Sequence, residues 1–235
     1  MKLVIMQPYL FPYVGYFQLL AAADRFVVYD DVNFIKGGWI NRNKILIQGK
    51  QHLFTIPLDA PSPNRKICDI QLSPPSMWRN KFLQTISQNY RRADYFEAVY
   101  ALLERVMITS ESQTIADLVR ISLFEIKKYL KLSVDIIPTS AKYVNEHLTA
   151  QQRVIDICRI ECATDYINAQ GGQHLYDYST FCQHNLALHF LQPELKPYRQ
   201  LNNPNFVAGL SIIDVLMNNS VYQTHEILNK YLLIS

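Results

Sequence analysis

Short apolar runs without polar alternation recur along the chain and predict the strands of a sheet. Such runs are typical of strands that are buried on both faces, as in a parallel sheet. The first run is followed by a proline-rich loop and then by apolar residues at helical spacing, Val14, Phe17 and Leu20. This order of strand, helix and strand predicts a βαβ unit. The predicted strands are residues 3–6, 26–29, 134–137, 165–168 and 186–191.

Two further patterns add elements to this sheet. Apolar and polar residues alternate over residues 44–48 and 52–56, on either side of Gly49 and Lys50, which predicts a β-hairpin. Between the hairpin and the third strand, apolar residues recur every three or four positions and predict a group of helices. These helices are residues 76–90, 94–109 and 112–130.

The elements together predict an α/β fold with a doubly wound, mainly parallel sheet that carries a β-hairpin and a helical insertion. We expect a single domain over residues 1–235, in which residues 76–130 form a helical lobe and residues 193–235 form a loop-and-helix extension. Thr149 is the expected cap of a helix that ends at Ile160. In such sheets a ligand binds beyond the carboxyl ends of the strands, so the polar residues found there are candidates for a functional site.

Composition and charge narrow the range of functions. The chain has 235 residues, of which 49% are hydrophobic and 18% are charged, as in an ordinary globular protein. A net charge of +3 without a basic block argues against nucleic acid as the main partner but permits an anionic substrate. We expect a cytoplasmic protein without a membrane span, because no leader and no long apolar segment is evident. The four cysteines and six histidines lack the spacing of a metal site, and none is predicted.

Two acidic residues follow the second predicted strand. Asp30 and Asp31 are suited to hold Mg²⁺, to hold a ribose or a substrate amine, or to orient Arg42; a polar strand end without function is the alternative. Because adjacent residues on a strand point to opposite faces, we expect one of them to enter the site. His174 follows the glycines after the fourth strand, and it is the histidine that we expect to act as a base.

Two glycine pairs lie where a ligand is expected. Gly37 and Gly38 precede Arg42, and such a loop can hold phosphate through backbone N–H groups and a guanidinium fork. Gly171 and Gly172 follow the fourth strand and are suited to an anion. In both places the alternative is an ordinary turn.

The segment Tyr13, Val14, Gly15 and Tyr16 is similar to the HxGH signature of nucleotidyltransferases and of ligases such as pantothenate synthetase, with tyrosine at both histidine positions. The resemblance implies a nucleotidyltransferase-like sheet. It also implies that the loop from Gln7 to Gly15 lies against the phosphates of ATP.

A second resemblance extends over nearly the whole chain. The pattern QPxxxPxxGYF begins at Gln7, DxFVxxDDV begins at Asp24 and WxNRNxI begins at Trp39. A YxQ element at Tyr198 and an SIID element at Ser211 complete it. Together these motifs resemble the WbqC-like family, whose genes tend to lie in clusters for lipopolysaccharide O-antigen and other surface glycans. For Ser211 and Asp214, a helix cap in the form of a capping box is the alternative to a role in the site.

The motifs and the strand ends together define the expected site. The catalytic candidates are Asp30, Asp31, Arg42 and His174. The candidates for binding substrate or nucleotide are Gln7, Pro8, Tyr13, Gly15, Tyr16, Lys36, Trp39, Asn41, Asn43, Gly171, Gly172, Tyr198, Gln200, Ser211 and Asp214. We expect them to line one cleft.

The resemblances imply an enzyme that joins an amino acid or acyl group, glycine among them, to an amino group of a nucleotide-linked sugar. The donor is either activated by ATP with Mg²⁺ or arrives activated on coenzyme A, a carrier protein or aminoacyl-tRNA, which would be the one nucleic-acid partner. No nucleophile is evident, so catalysis would rest on positioning and electrostatics. The alternative is a non-catalytic protein that binds a nucleotide sugar or glycan and assists the assembly enzymes.

Overall fold

A six-stranded sheet and a separate hairpin organise the protein, as seen in a computed structural model that describes residues 1–74, 78–109, 111–201 and 203–235. The strands are β1 (Lys2–Met6), β2 (Arg25–Val28), β3 (Arg42–Ile47), β4 (Lys50–Thr55), β5 (Asp135–Ile137), β6 (Asp165–Ala169), β7 (Ala187–Pro193) and β8 (Tyr231–Ile234). Strands β3 and β4 form the hairpin, and the other strands form the sheet.

The sheet has the order β5-β2-β1-β6-β7-β8. All neighbouring pairs are parallel except β7 and β8. Val4 in β1 lies between Phe26 of β2 and Ile167 of β6, and all three side chains are fully buried. From β1 the chain builds outward first through β2 and β5, and then through β6 and β7 on the other side. This order confirms the predicted doubly wound, mainly parallel α/β fold, and it places the change of direction between β1 and β6.

Helices cover both faces of the sheet. They are α1 (Val14–Ala22), α2 (Trp78–Tyr90), α3 (Phe96–Glu104), α4 (Ile115–Leu130), α5 (Ala150–Ile160), α6 (Tyr178–Gln183), α7 (Ile212–Asn218) and α8 (Val221–Leu228). Short 3₁₀ segments follow β5 at Ser140–Tyr143 and β6 at Gln170–Leu175. Helices α5 and α6 pack on one face of the sheet, and α1 and α4 pack on the other. None of these described helices combines the length and the apolar character that crossing a membrane would require.

The helices between the hairpin and β5 share their core with the rest of the protein. The buried side chains of α2, α3 and α4 belong to the same cluster as those of α1, the hairpin and α7. The division of the chain into one domain, a helical lobe and a C-terminal extension stays a prediction. The expected helix start at residue 76 lies outside the described residues.

Three local expectations need correction. Helix α3 ends at Glu104, and the chain continues to Thr109 as a π-helical turn, which periodicity does not distinguish from an α-helix. Thr149 precedes α5 as expected, but its side chain makes no capping hydrogen bond with the described residues. Strand β8 was not predicted. Its side chains are half-buried or exposed, and it owes its place to backbone pairing with β7.

Candidate functional site

Polar groups follow β1, β2 and β5 at the carboxyl edge of the sheet, on one side of the change of direction between β1 and β6. Gln7 follows β1 directly, and the Tyr29 amide donates to the Met6 carbonyl at 2.8 Å, so the ends of β1 and β2 stay paired. Asp30 and Asp31 come next, opposite Ser140 after β5. We call Gln7, Asp30, Asp31 and Ser140 the strand-end cluster. It lies beyond the carboxyl ends of the strands, the edge at which doubly wound sheets bind ligands, on the β2 side of the change of direction.

Asp30 is fixed through one carboxylate oxygen. Its Oδ1 accepts hydrogen bonds from Thr139 Oγ1 at 2.7 Å and from the Ser140 amide at 3.1 Å. Its Oδ2 accepts none from any other described residue. Asp30 is only 5% exposed, and burial raises the pKa of its carboxyl group, although the hydrogen bonds from Thr139 and Ser140 oppose the increase. The result is an oriented carboxyl group with one oxygen free to act and a raised affinity for a proton.

Asp31 has a different environment. Its Oδ2 accepts from Arg153 Nη2 at 2.5 Å, and its Oδ1 accepts from the Ser140 hydroxyl. Both carboxylates therefore turn toward Ser140, and the expectation of opposite faces fails because β2 ends at Val28. The ion-pair and hydrogen-bond partners of Asp30 and Asp31 do not include Arg42 among the described residues.

Arg153 is a member of this site that the sequence does not reveal. It lies in the first turn of α5, donates from Nε to Asn145 Oδ1 at 2.9 Å, and stacks over the Tyr29 ring at 4.9 Å from the centroid. An arginine among alanine and glutamines at a helix start usually indicates a solvated position. Only the approach of α5 to β2, a long-range contact, buries its charge against Asp31.

Gln7 has an unsatisfied acceptor. Its Oε1 is buried and has no hydrogen-bond partner among the described residues, while its backbone carbonyl accepts from the Tyr16 hydroxyl at 2.9 Å. Buried acceptors without a partner are rare in folded proteins. A ligand N–H or O–H group would satisfy this one. Tyr16 itself is 1% exposed, so its role is to hold the backbone at Gln7.

The loop that follows Gln7 and Pro8 is held by the hairpin and by α7. The Phe11 carbonyl accepts from Asn43 Nδ2 at 2.8 Å and from Ser211 Oγ at 2.7 Å, and Phe11 has a left-handed φ of 43°. The Ser211 amide in turn donates to the Lys44 carbonyl at 2.8 Å. Asn41 similarly donates to the Ile56 carbonyl at 2.7 Å. Asn41, Asn43 and Ser211 thus have structural partners inside the protein.

The start of α1 is covered by side chains. A Cβ placed on Gly15 would lie 2.5 Å from the Tyr13 hydroxyl oxygen, which shows how closely the Tyr13 ring lies over this turn. Beside Val14, the segment with Leu195 and Tyr198 leaves a void of about 10 Å³. A side chain at position 15 would require the Tyr13 ring to move.

Asp214 is the acceptor of a buried hydrogen-bond network. Tyr198 donates to Oδ1 at 2.6 Å, Gln200 Nε2 donates to Oδ1 at 3.1 Å, and Tyr90 donates to Oδ2 at 2.9 Å. Burial raises the pKa of Asp214, and the three donors oppose this. The capping box proposed for Ser211 and Asp214 is wrong. Ser211 does cap α7 by accepting from the Ile213 amide at 3.3 Å, but the Asp214 carboxylate points to the tyrosines.

An exposed cationic surface lies at the entry to the hairpin. We define the Trp39 patch as Lys36, Trp39, Arg42 and Lys44. The Arg42 guanidinium and the Lys44 ammonium each lie 5.7 Å from the Trp39 ring centroid, and Arg42 Nε donates to the Gly38 carbonyl at 2.7 Å. Within the described ranges, none of the three cations is in an ion pair.

The segment after β6 is fixed through Asn168. Its Nδ2 donates to the Tyr166 and Tyr176 hydroxyls, each at 2.8 Å, and its Oδ1 lies 3.3 Å from where a Cβ on Gly172 would be. Gly171 has open space around it. His174 is exposed on this segment and has no hydrogen-bond partner among the described residues.

Comparison with known proteins places the chain in a family. A sequence model of the WbqC-like protein family matches residues 7–226. The chain belongs to the WbqC-like protein family. It is also 24% identical over 218 residues to the uncharacterized protein Rv1507c of Mycobacterium tuberculosis (strain ATCC 25618 / H37Rv), a match that covers 92% of this chain and 93% of that protein. No solved structure matches the chain. The resemblance drawn from the motifs is confirmed.

In this WbqC-like protein, the expected site residues fall into connected groups. The Leu10 amide donates to the Ile40 carbonyl at 3.1 Å. This hydrogen bond joins the loop after Gln7 to the residues that lead into β3, next to the Trp39 patch. Ser211 joins that hairpin to Asp214 and so to Tyr198 and Gln200. Tyr198 also lines a cavity of about 580 Å³ with Tyr95, Arg199, Glu226 and Lys230. That all these groups line one cleft stays a prediction.

The Asp214 network of the WbqC-like chain makes a stability prediction. Tyr198→Phe should lower the free energy of unfolding by about 1–3 kcal/mol, because it leaves a buried carboxylate short of one hydrogen bond. Urea unfolding followed by circular dichroism measures this. Tyr222→Phe is the matched control, since Tyr222 is 72% exposed and should change stability by less than about 0.5 kcal/mol. Equal stability of the two variants would contradict a structural role for the network.

Proposed function

We propose that this WbqC-like protein is an enzyme of surface-glycan or O-antigen biosynthesis that joins an acyl or aminoacyl group to the amino group of a nucleotide-linked sugar. The reaction takes place at the strand-end cluster. The observation that carries the proposal is the geometry of Asp30, a buried carboxyl group fixed through Oδ1 with Oδ2 left for a substrate. Family membership supports the glycan context.

Asp30 is suited to act as the general base of amide formation. The sugar amine attacks the acyl carbonyl carbon, a C–N bond forms, and the bond from that carbon to its leaving group breaks. The proton that the nitrogen must lose passes to Asp30 Oδ2, which then gives it to the leaving group or to solvent and becomes a carboxylate again. A carboxylate with a raised pKa accepts a proton more readily, and general bases contribute about 10²–10⁴ in rate.

The other members of the cluster position the reactants. Gln7 Oε1 needs a donor, and an N–H of the attacking amine would supply one. Arg153 neutralises Asp31, so that Asp30 carries the free negative charge of the pair. Ser140 donates hydrogen bonds to both carboxylates and so fixes their positions relative to each other. These are binding and positioning roles, and they require no covalent enzyme intermediate.

The leaving group depends on the donor, which the site leaves open. It is AMP if the acyl group is activated by ATP with Mg²⁺, a thiol if it arrives on coenzyme A or a carrier protein, and a ribose hydroxyl if it arrives on aminoacyl-tRNA. In the described ranges, no three His, Cys, Asp or Glu side chains are grouped to hold a metal ion. With ATP as the activating reagent, Mg²⁺ would enter bound to its phosphates, as part of the substrate.

The test is product formation. The protein is incubated with nucleotide-linked aminosugars and, in separate reactions, with amino acids plus ATP and Mg²⁺, acyl-coenzyme A, acyl carrier protein or aminoacyl-tRNA. Mass spectrometry should show an acylated sugar nucleotide with one of these donors. Product without ATP but with a preactivated donor would overturn the ligase form and support the transferase form.

A non-catalytic binding protein is the second candidate function. The cavity of about 580 Å³ beside Tyr198 favours it, because this volume suits a sugar nucleotide and the buried Asp214 network fixes one of its walls. Tight binding of sugar nucleotides without product from any donor would favour this candidate over the enzyme. A larger rise in melting temperature with a sugar nucleotide than with ATP and Mg²⁺ would agree with it.

A further inference from the structure

We infer that the Trp39 patch binds the diphosphate group of a nucleotide-linked substrate. This inference rests on the proposed function in one respect, namely that the substrate is carried by a nucleotide. The resemblance to the HxGH signature implies that phosphates lie against the loop before α1. The present inference assigns the phosphates to the hairpin entry instead.

The charges of the patch call for an anion. Arg42 and Lys44 place two positive charges against Trp39, the exposed Lys36 lies three positions before that tryptophan, and no carboxylate in the described part of the chain pairs with any of the three. Arg42 and Lys44 are two positions apart on β3, and each lies 5.7 Å from the Trp39 ring centroid, which places their like charges on one face of the hairpin. Opposite charge from outside the protein would relieve this repulsion.

The geometry of Arg42 suits phosphate. Its Nε is engaged by the Gly38 carbonyl at 2.7 Å, which orients the guanidinium and leaves its two terminal nitrogens as donors. A guanidinium fork matches two phosphate oxygens at once, while lysine contributes a point charge. Gly37 permits the turn beside Arg42, because its left-handed φ of 77° favours glycine.

The alternative phosphate site at the start of α1 is covered by a side chain, because the Tyr13 ring lies over Gly15. The Phe11 carbonyl is held by Asn43 and Ser211, so the loop is fixed in this covered form. Anionic oxygens would meet accessible donors more readily at the Trp39 patch.

The patch is connected to the strand-end cluster through the chain and through one backbone hydrogen bond. Lys36 is five positions after Asp31, and the buried Phe34 between them anchors the connection through its amide, which donates to the Arg65 carbonyl at 2.9 Å. The Leu10–Ile40 hydrogen bond ties the patch to the loop that begins at Gln7. A diphosphate links a nucleoside to a sugar, so phosphates at the patch would let the sugar extend toward Asp30. The 42% exposed Trp39 ring offers apolar surface beside them.

Binding of uridine diphosphate tests the inference, with uridine, uridine monophosphate and inorganic pyrophosphate as comparisons. Isothermal titration calorimetry on the intact chain gives the dissociation constants. The Arg42→Ala/Lys44→Ala variant should bind uridine diphosphate at least about 10-fold more weakly, since each charge-assisted hydrogen bond contributes on that scale. Arg42→Lys, which keeps the charge and loses the fork, should fall between this variant and the wild type. Pyrophosphate should compete, and uridine should not.

Lys50→Ala is the matched control, because Lys50 is an exposed lysine at the far end of the same hairpin and should change affinity by less than about two-fold. Lys36→Ala adds a second patch variant that disturbs no hydrogen bond recorded within the described residues. A second readout is Trp39 fluorescence in a Trp78→Phe background, since the chain has two tryptophans. Uridine diphosphate should quench it.

Several results would overturn the inference. Unchanged affinity for uridine diphosphate in the patch variants would do so, whether or not the enzyme forms product. If the patch variants bind uridine diphosphate normally but lose binding to single-stranded RNA or to vesicles of anionic phospholipid, the patch belongs to that partner instead. Weakened binding of uridine diphosphate in a protein that forms no product with any donor would support the inference while the proposed reaction fails. Normal turnover with an unchanged KM in the patch variants would support the proposed reaction and overturn the inference about the patch.

Discussion

The Arg153→Met variant should lose about 3–5 kcal/mol of unfolding free energy, which is a large part of the 5–15 kcal/mol typical of a folded protein. The side chains of Arg153 and Asp31 are only 5% and 1% exposed, and their charged atoms are 2.5 Å apart. Methionine fills similar volume but leaves the Asp31 carboxylate buried, with Ser140 as its remaining donor. Urea unfolding monitored by circular dichroism measures the loss.

Arg159→Met is the matched control for this prediction. Arg159 lies on the same helix and pairs with Asp156 at 2.9 Å, but its side chain is 78% exposed. An exposed pair of this kind is worth less than about 1 kcal/mol. The double variant Asp31→Asn/Arg153→Met should recover part of the stability, because it removes both buried charges. If Arg153→Met and Arg159→Met lose equal stability, the buried pair does not hold the strand-end cluster.

The sheet could be predicted from sequence because its strands are buried on both faces. Runs such as Leu3 to Met6 are short and continuously apolar, without the polar positions that an amphipathic helix shows. Strands β1, β2, β5, β6 and β7 all occur where these runs predicted them. The alternation on either side of Gly49 and Lys50 predicted the hairpin, and its turn lies one residue earlier, at Gln48 and Gly49, which both have positive φ. Strand β8 has no such signal, because its place depends on its partner β7.

The candidate site was predictable only in part, since a motif names residues without saying what they contact. Asp30 could be found because it follows a buried strand at the edge where ligands bind. Asn43, Tyr16 and Ser211 belong to the same family motifs, yet their side chains hold the backbone at Phe11 and Gln7. Arg153 could not be found, because its role arises from helix packing and not from local pattern.

The Asp30→Asn variant should lose about 10²–10⁴ in kcat for amide formation, with a much smaller change in KM. Asparagine keeps the size of the side chain, and its oxygen can still accept from Thr139 and Ser140. It cannot take the proton from the attacking amine. The measurement is the initial rate of product formation, by mass spectrometry, with the donor identified for the wild-type protein.

The pH dependence gives the same variant a second readout. Burial raises the pKa of Asp30, so the wild-type rate should fall as the pH drops through that raised pKa, where the base becomes protonated. Asp30→Asn should lose this dependence. The raised pKa also means that ionised Asp30 disfavours folding once the pH exceeds it, so the variant should be no less stable than the wild type at neutral pH.

Two controls separate chemistry from structure at Asp30. Asp69→Asn removes an exposed carboxylate next to Cys68, whose amide donates to the Asp30 carbonyl at 2.9 Å, and the rate should stay within about two-fold. Thr139→Val keeps the carboxylate but removes the 2.7 Å hydrogen bond that orients it, so the rate should fall less than with Asp30→Asn. A variant Asp30→Asn that keeps at least half of the wild-type kcat would remove Asp30 as the base. In that case the Asp30 side chain would serve to bind the amine rather than to deprotonate it.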